Sequence, residues 1–366
     1  VGILQEQNLK IFQMTGSALY AVYRKLNLQR LFDNPLIRIL LKVDRIEKME
    51  NLRPKVSIIG CGNVGMRYAY ALIIRGLVRQ IVIVDIDRQR LEGEVMDLSH
   101  GAPYISPVEI IAGDYPDIKN SDLVVITIGR KQKPGQSRTD LARDNVELYR
   151  KVIPEIVRYA PKSIILVVTN PVDVLAYAAY KISGKPAKEV ISSGTVLDSS
   201  RFRFLLSKHC NIDARNVHAY ILGEHGDSEF AVWSKAMIGG ILFKDYCRIC
   251  KTNNTCSSKE ELNKIFLEVR DSAYKIIEKK GETSYGIGLT LVMITEAIIN
   301  DENAILPVSS LVDGYLGIID VYLSLPAILN REGVREVLEI ELSPQEEKAL
   351  INSANSIKKV IKEVGL

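Results

Sequence analysis

The stretch from Lys55 to Asp85 leaves the fold little freedom. Lys55-Val56-Ser57-Ile58-Ile59 reads as a short buried strand and Gly60-Cys61-Gly62-Asn63-Val64-Gly65 as a tight turn. A helical run follows from Met66 to Gly76, and then a second strand, Ile81-Val82-Ile83-Val84, ends on Asp85. A G-x-G-x-x-G alone says little. Here it has a strand before it, a helix after it, and an acid closing the next strand twenty residues past Gly65. Gly60 permits the turn, Gly62 lets a pyrophosphate approach the backbone, and Gly65 lets the helix pack on the sheet. The helix N-terminus offers unpaired N–H groups and positive potential to a diphosphate. Asp85 suits adenosine ribose hydroxyls and repels a 2′-phosphate, so the expected cofactor is NAD rather than NADP.

The alternation continues through strands at Val108–Ala112, Leu123–Ile128 and Ser163–Val168, with a helix at Asp140–Tyr159. This is the pattern of an α/β protein with a doubly wound parallel (Rossmann) sheet. Its ligand crevice belongs beyond the strand C-termini. Three polar segments fall there. They are Gly129–Arg138, which holds Pro134-Gly135 and reads as a lid; Thr169-Asn170-Pro171-Val172-Asp173; and Gly194–Arg201. Asn170 precedes a proline, so it is biased to an extended backbone and is a place where a cis bond can occur.

The second half reads as an α+β catalytic domain. Ser257-Ser258-Lys259-Glu260-Glu261 is a helix-start signature, and Leu262, Ile265, Phe266, Val269, Ala273, Ile276 and Ile277 follow at helical spacing as core, up to Gly281. A last helix opens with Ser343 as cap, Pro344 first and Glu346 closing a capping box. Its stripe of Leu350, Ala354, Ile357, Ile361 and Val364 reads as packing. The expected organisation is an extension over residues 1–50 outside the fold, a dinucleotide-binding domain over 51–195, and the α+β domain over 196–366.

Charge supports that division. Of 48 basic and 44 acidic residues, eight and four fall within residues 1–48, leaving 40 of each. A net charge of +4 is too small to imply a nucleic-acid partner, and no apolar run is long enough to span a bilayer. The five cysteines are Cys61, Cys210, Cys247, Cys250 and Cys256. Their odd number and spacing argue for a reducing compartment, hence a cytoplasmic location. Cys247, Cys250 and Cys256 without a nearby histidine make an incomplete zinc site, so no metal is expected.

The chemistry gathers in Ile221-Leu222-Gly223-Glu224-His225-Gly226-Asp227-Ser228-Glu229. Glycines on both sides of His225 allow a small ligand close to the backbone. Imidazole gives and takes a proton near neutral pH. Asp198 is the candidate partner that fixes its tautomer and raises its basicity. Arg201, one helical turn on, offers a guanidinium fork suited to a carboxylate.

Together these motifs resemble the lactate/malate dehydrogenase family, and within it the L-lactate dehydrogenases activated by fructose 1,6-bisphosphate. The resemblance runs from about Lys55 to Gly365 and is carried by GCGNVG, VDID, GEVMDLSHG, QKPGQSRTDL, VTNPVD, SSGTVLDSSRFR, ILGEHGDSE and KGETSYGIG, in order. It implies that His225 is the proton donor and acceptor, with Asp198 its partner. It implies that Arg201 grips a substrate carboxylate and that Arg138 closes over the substrate to polarise its carbonyl. By the same resemblance Asn170 lies near the substrate hydroxyl, and Thr283 beside its methyl. The implied cofactor contacts are Gly60, Gly62, Val64, Gly65, Asp85, Arg90, Tyr115, Gly129 and Asn170. Arg203 and His218 match the pair that binds the sugar phosphate in a homotetramer. In malate dehydrogenases of the family an arginine stands two residues before the loop's Pro-Gly pair, where this chain has Gln132. The implied substrates are therefore pyruvate and lactate. Malate dehydrogenase activity and a catalytically idle NAD-binding homologue stay as alternatives.

Overall fold

The computed structural model describes residues 54–130, 137–249 and 258–366, without the side chains of Arg138, Arg248 and Ile249. The expectations for residues 1–50, for Gln132 and its lid neighbours 131–136, and for Cys250 and Cys256 lie outside the described residues.

Strand β1 (Lys55–Ile59) leads through the glycine turn into helix α1 (Asn63–Arg75) and on to β2 (Gln80–Val84). Next come α2 (Arg88–His100), β3 (Glu109–Gly113), β4 (Leu123–Ile126), α3 (Arg138–Tyr159), β5 (Ile164–Val167), α4 (Val172–Ser183) and β6 (Val190–Ser192). Their order across the sheet is β6-β5-β4-β1-β2-β3, all parallel. The chain winds outward from β1 on one side and resumes at β4 on the other. The switch point therefore lies between β1 and β4, at the C-terminal edge where the glycine turn and Gly129 emerge.

Helix α5 (Val196–Cys210) opens the second half. It is followed by the short strands β7 (Val217–His218), β8 (Ile221–Leu222), β9 (Phe230–Ala231), β10 (Met237–Ile238) and β11 (Ile241–Leu242). Helices α6 (Phe243–Ile249), α7 (Lys259–Lys280) and α8 (Tyr285–Ile299) precede strands β12 (Ala304–Leu306), β13 (Ser309–Val312), β14 (Val321–Ser324), β15 (Ala327–Asn330) and β16 (Gly333–Val337). Helix α9 (Pro344–Glu363) closes the chain. The parallel sheet is longer than the sequence implied. β13 joins β6 in antiparallel fashion and β14 joins β13, making eight strands with two from the second half.

The strands read as nearly continuous apolar runs because both faces of the sheet are covered. Ile59, Val82, Val84, Val124, Ile126, Ile165 and Val167 face one layer, with side chains of α3, α4 and α9. Val56, Ile58, Ile81, Ile83, Leu123, Val125 and Leu166 face the other, with α1, α2 and α8. Residues alternate between the layers as the pleat requires.

Most local signals hold. Ser258 Oγ accepts from Glu261 N at 3.2 Å, Gly281 caps α7 with φ +82, and the Ser343–Glu346 capping box forms. All five stripe residues of α9 are buried. α7 differs: Ile265 and Val269 are buried, but Ile276 and Ile277 are 36% and 46% exposed. Its first turns pack with Phe202 and Leu206 of α5, while the later turns extend past that cluster. Helix α1 starts at Asn63, three residues earlier than its apolar pattern, because Gly62 itself caps it.

Candidate active site

Asp198 sits in the first turn of α5 and is 2% exposed. One turn on, Arg201 Nη1 donates to Asp198 Oδ1 at 2.8 Å. The other carboxylate oxygen faces His225 Nδ1 at 2.6 Å. The helix delivers two of the three groups by its own period. The third comes from the loop between β8 and β9.

Four ties hold that loop in register. Ser199 Oγ accepts from Ile221 N at 2.9 Å and fixes β8 on α5. Gly223 pairs with Ser324 of β14 through two bonds of 3.0 Å. Glu224 N donates to Ser353 Oγ of α9 at 2.6 Å. His225 N donates to Asp173 Oδ2 of α4 at 2.8 Å. Gly223 is needed as glycine: its φ is +94, and a Cβ would stand 2.6 Å from Ser353 Oγ. Each tie comes from a different element, so the imidazole is placed by the whole second half and by α4. Asp173, Ser199 and Ser353 were not singled out from sequence. Only Asp173 carried a signal, as the acid in the first turn after Asn170-Pro171.

The electrostatics follow from burial and pairing. Burial works against a charged imidazole, but the Asp198 carboxylate outweighs it and lifts His225 to about 9. Asp198 is held below the usual carboxylate range: burial opposes its charge, and His225 and Arg201 overcome that opposition. Burial raises Asp173 to about 6, against the hydrogen bond from His225 N. One donor or acceptor atom each of Asp198, His225 and Glu229 lies within 4.8 Å of the others. The cluster can hold a proton on one imidazole nitrogen and present the other, and it can hold an anion on the remaining guanidinium N–H groups.

At the C-terminal end of β1, Gly60 has φ +117, and a Cβ there would lie 2.7 Å from Thr127 Oγ1. In front of Gly62 the position of a Cβ is open to 4 Å, beside the start of α1. That open backbone at a helix N-terminus fits a diphosphate. Val64 is half-buried in the first turn of α1, and Gly65 is buried beneath it. Asp85 closes the turn: its Oδ2 accepts from Cys61 N at 2.7 Å and its Oδ1 from Asp87 N at 2.9 Å. Arg90 is exposed on α2 and donates to Glu94. Tyr115 is half-buried after β3. The open glycine turn at a helix N-terminus, with a carboxylate at the end of β2, fits a dinucleotide such as NAD.

Gly129 and Asn170 are both exposed, after β4 and β5. Buried Asn145 joins them: its Oδ1 accepts from Arg130 N at 2.7 Å, and its Nδ2 donates to the Asn170 carbonyl at 3.0 Å. Nothing in its surroundings singles out Asn145, which reads as one polar residue on a long helix. The Asn170–Pro171 bond is cis, as anticipated. Arg138 is the first residue of α3, behind the Ser137 cap. Thr283 is half-buried in the connection between α7 and α8. Arg203 lies on α5 with its Nε buried and without a hydrogen-bond partner among the described residues. His218 is exposed at the end of β7.

Comparison with known proteins agrees with this geometry. Residues 54–192 match the family model for the lactate/malate dehydrogenase NAD binding domain, and residues 195–365 match the model for the alpha/beta C-terminal domain. An L-lactate dehydrogenase of Acetivibrio thermocellus is 48% identical over 312 residues, 85% of this chain and 98% of that protein. L-lactate dehydrogenase 1 of Clostridium acetobutylicum is 47% identical over 311 residues, again 85% and 98% of the two chains. Among solved structures, a lactate dehydrogenase from a Medee basin deep-sea metagenome superposes with a TM-score of 0.83 at 46% identity, over 86% of this chain and 99% of its own. The minor L-lactate dehydrogenase of Enterococcus mundtii gives 0.82 at 37% identity, over the same shares.

Proposed function

Because this chain belongs to the lactate/malate dehydrogenase family, we propose that it is an NAD-dependent L-lactate dehydrogenase, interconverting pyruvate and (S)-lactate in fermentation. The observation that carries the reading is the Asp198–His225–Arg201 cluster, one buried carboxylate holding an imidazole at 2.6 Å and a guanidinium at 2.8 Å. Arg201 takes the pyruvate carboxylate on the N–H groups that Asp198 leaves. Arg138 polarises the carbonyl, since a cation at that oxygen stabilises the charge developing on it. Bound NADH supplies the hydride that adds to the carbonyl carbon. His225 gives its proton to the carbonyl oxygen, which becomes the lactate hydroxyl; in reverse, neutral His225 removes that proton. Asn170 holds the hydroxyl, and Thr283 leaves room for the methyl.

A substrate panel at fixed NADH tests the proposal, followed by loss of NADH absorbance. Pyruvate is expected to exceed oxaloacetate in kcat/KM by on the order of a hundredfold, since a second carboxylate buried without a partner costs about 3 kcal/mol or more. Equal use of both acids returns the malate dehydrogenase reading. Absence of turnover with NADH still bound makes the chain an idle homologue.

We also place the protein in the cytoplasm as a homotetramer activated by fructose 1,6-bisphosphate. No described helix is long and apolar enough to cross a membrane. Cys61, Cys210 and Cys247 are all buried. Tyr70 and Ile74 on α1, with Leu289 and Met293 on α8, leave an exposed apolar stripe suited to a second subunit. Arg203 and His218 supply hydrogen-bond donors of the kind a bisphosphate needs. The activator is expected to lower the pyruvate KM and to bind more tightly when a pyruvate analogue is present, as reciprocal coupling requires. Hyperbolic kinetics unchanged by the sugar phosphate remove the regulatory part and leave the catalytic part standing.

A further inference from the structure

Glu229 has no part in the reaction as written above. It lies four residues beyond His225, immediately before β9, and is 6% exposed. Its Oε1 is fully buried and has no hydrogen-bond partner among the described residues. It stands with Asp198 and His225 in the group whose polar atoms lie within 4.8 Å of one another. The charged groups facing it are Asp198 and Arg201 on α5, His225 on its own loop, and Arg270 on α7, while Asp173 on α4 faces the same imidazole. Their bonds are largely committed elsewhere. Arg201 Nη1 serves Asp198 at 2.8 Å, and Arg270 Nε serves Asp271 at 3.0 Å.

Two carboxyl groups this close, both out of water, do not both ionise. Asp198 receives the imidazole and the guanidinium, one on each oxygen, so the charge rests there. The proton rests on Glu229. We propose that Glu229 works as a neutral carboxylic acid and is a positioning residue that sets how firmly the His225–Asp198 pair holds its proton. This rests on His225 being the proton donor of the proposed reaction.

Burial pushes the Glu229 carboxyl up to about 9, and the Asp198 carboxylate adds to the rise. His225 reaches about 9 as well: burial opposes its charge, Asp198 outweighs burial, and Glu229 adds to the pull. The two groups therefore titrate as a unit. At neutral pH Glu229 is uncharged and the Asp198 charge is met by Arg201 and the imidazolium. In alkaline solution one proton leaves the pair, and an ionised Glu229 keeps the remaining proton on His225. Pyruvate reduction, which needs that proton, extends to higher pH than Asp198 alone would allow.

The test uses the full chain with NADH bound and has two arms. The first is the infrared spectrum of wild type carrying carboxyl-labelled glutamate. A protonated-carboxyl carbonyl band is expected at neutral pH, fading at alkaline pH and missing in Glu229→Gln. If wild type shows no such band at neutral pH, the proposal fails, whether or not the variant folds. The second is the pH dependence of kcat/KM for pyruvate, beside a magnetic-resonance titration of the His225 ring. In Glu229→Gln the alkaline midpoint of both is expected about one pH unit lower, since an amide cannot supply the extra anion. Midpoints equal to wild type, with only kcat or KM degraded, would show a merely structural role and overturn the proposal. The band and the ring titration need no turnover. Failure of the lactate dehydrogenase reading is seen separately, as absent pyruvate reduction by wild type.

Discussion

Replacing His225 with Gln is expected to lower pyruvate reduction by about 10³-fold while NADH binding stays near wild type, because a positioned proton donor contributes roughly 10²–10⁴-fold. The substitution is local. The backbone N–H of residue 225 still reaches Asp173, and the ties through Ile221, Gly223 and Glu224 do not involve the imidazole. The glycine turn and Asp85 make none of these bonds and are untouched. Single-turnover reduction of pyruvate by pre-bound NADH measures the chemical step, and a fluorescence titration of NADH measures binding. Asp198→Asn should fall in the same direction for a different reason. It keeps the shape but removes the charge that both His225 and Arg201 lean on, so the imidazole loses its proton at lower pH and substrate affinity weakens together with rate. A His225→Gln rate within tenfold of wild type would mean that the proton comes from another group, and Glu229 would be the first to examine.

What the sequence disclosed, and what it hid, follows from how far apart the partners lie. Gly60, Gly62, Gly65 and Asp85 were legible because strand, turn, helix and acid are consecutive, and Asp85 does close back on Cys61 N. Asp198 and Arg201 were legible because one helical turn joins them. His225 was recognisable from its glycines, but the groups that aim it were not. Asp173 is 52 residues away and Ser353 is 129 from Glu224, and nothing in their neighbourhoods advertises the pairing. Asn145 is hidden in the same way, as is the unpartnered Oε1 of Glu229, which only burial reveals. The antiparallel strands β13 and β14 escaped because a strand's sheet partner is a long-range choice. Ser309 pairs with Ser192, across more than a hundred residues of intervening chain. The far end of α7 misled in the other direction: its apolar period continues through Ile276 and Ile277 although the cluster beneath it has ended.

Gln132→Arg is the substitution expected to change most which acid the site accepts. Gln132 lies outside the described residues, but both ends of its segment are placed. Gly129 and Arg130 leave β4 with Arg130 N held by Asn145, and Ser137 caps α3 directly before Arg138. Between these anchors Gln132 stands two residues before Pro134-Gly135, flanked by Arg130, Lys131 and Lys133. The segment is basic as a whole, so net charge cannot be what selects the substrate. The residue at one position is, as the family resemblance implies for the place two before Pro134-Gly135. We propose that the residue at this position selects the acid, and that Gln132 offers the methyl of pyruvate no charge. Oxaloacetate would bury a second carboxylate there unpaired; an arginine pairs it, often through two parallel bonds. Gln132→Arg is therefore expected to move the oxaloacetate-to-pyruvate ratio of kcat/KM by on the order of 10³-fold, from removal of that buried-charge penalty and loss of the fit to a methyl. Arg130→Gln should move the same ratio by less than about threefold, because an exposed charge outside the pocket is screened. Both ratios come from one competition assay in which lactate and malate are quantified after a fixed amount of NADH is consumed. If Arg130→Gln is the change that shifts the ratio, the selecting residue is Arg130, and the site already holds the cation that a dicarboxylic acid requires.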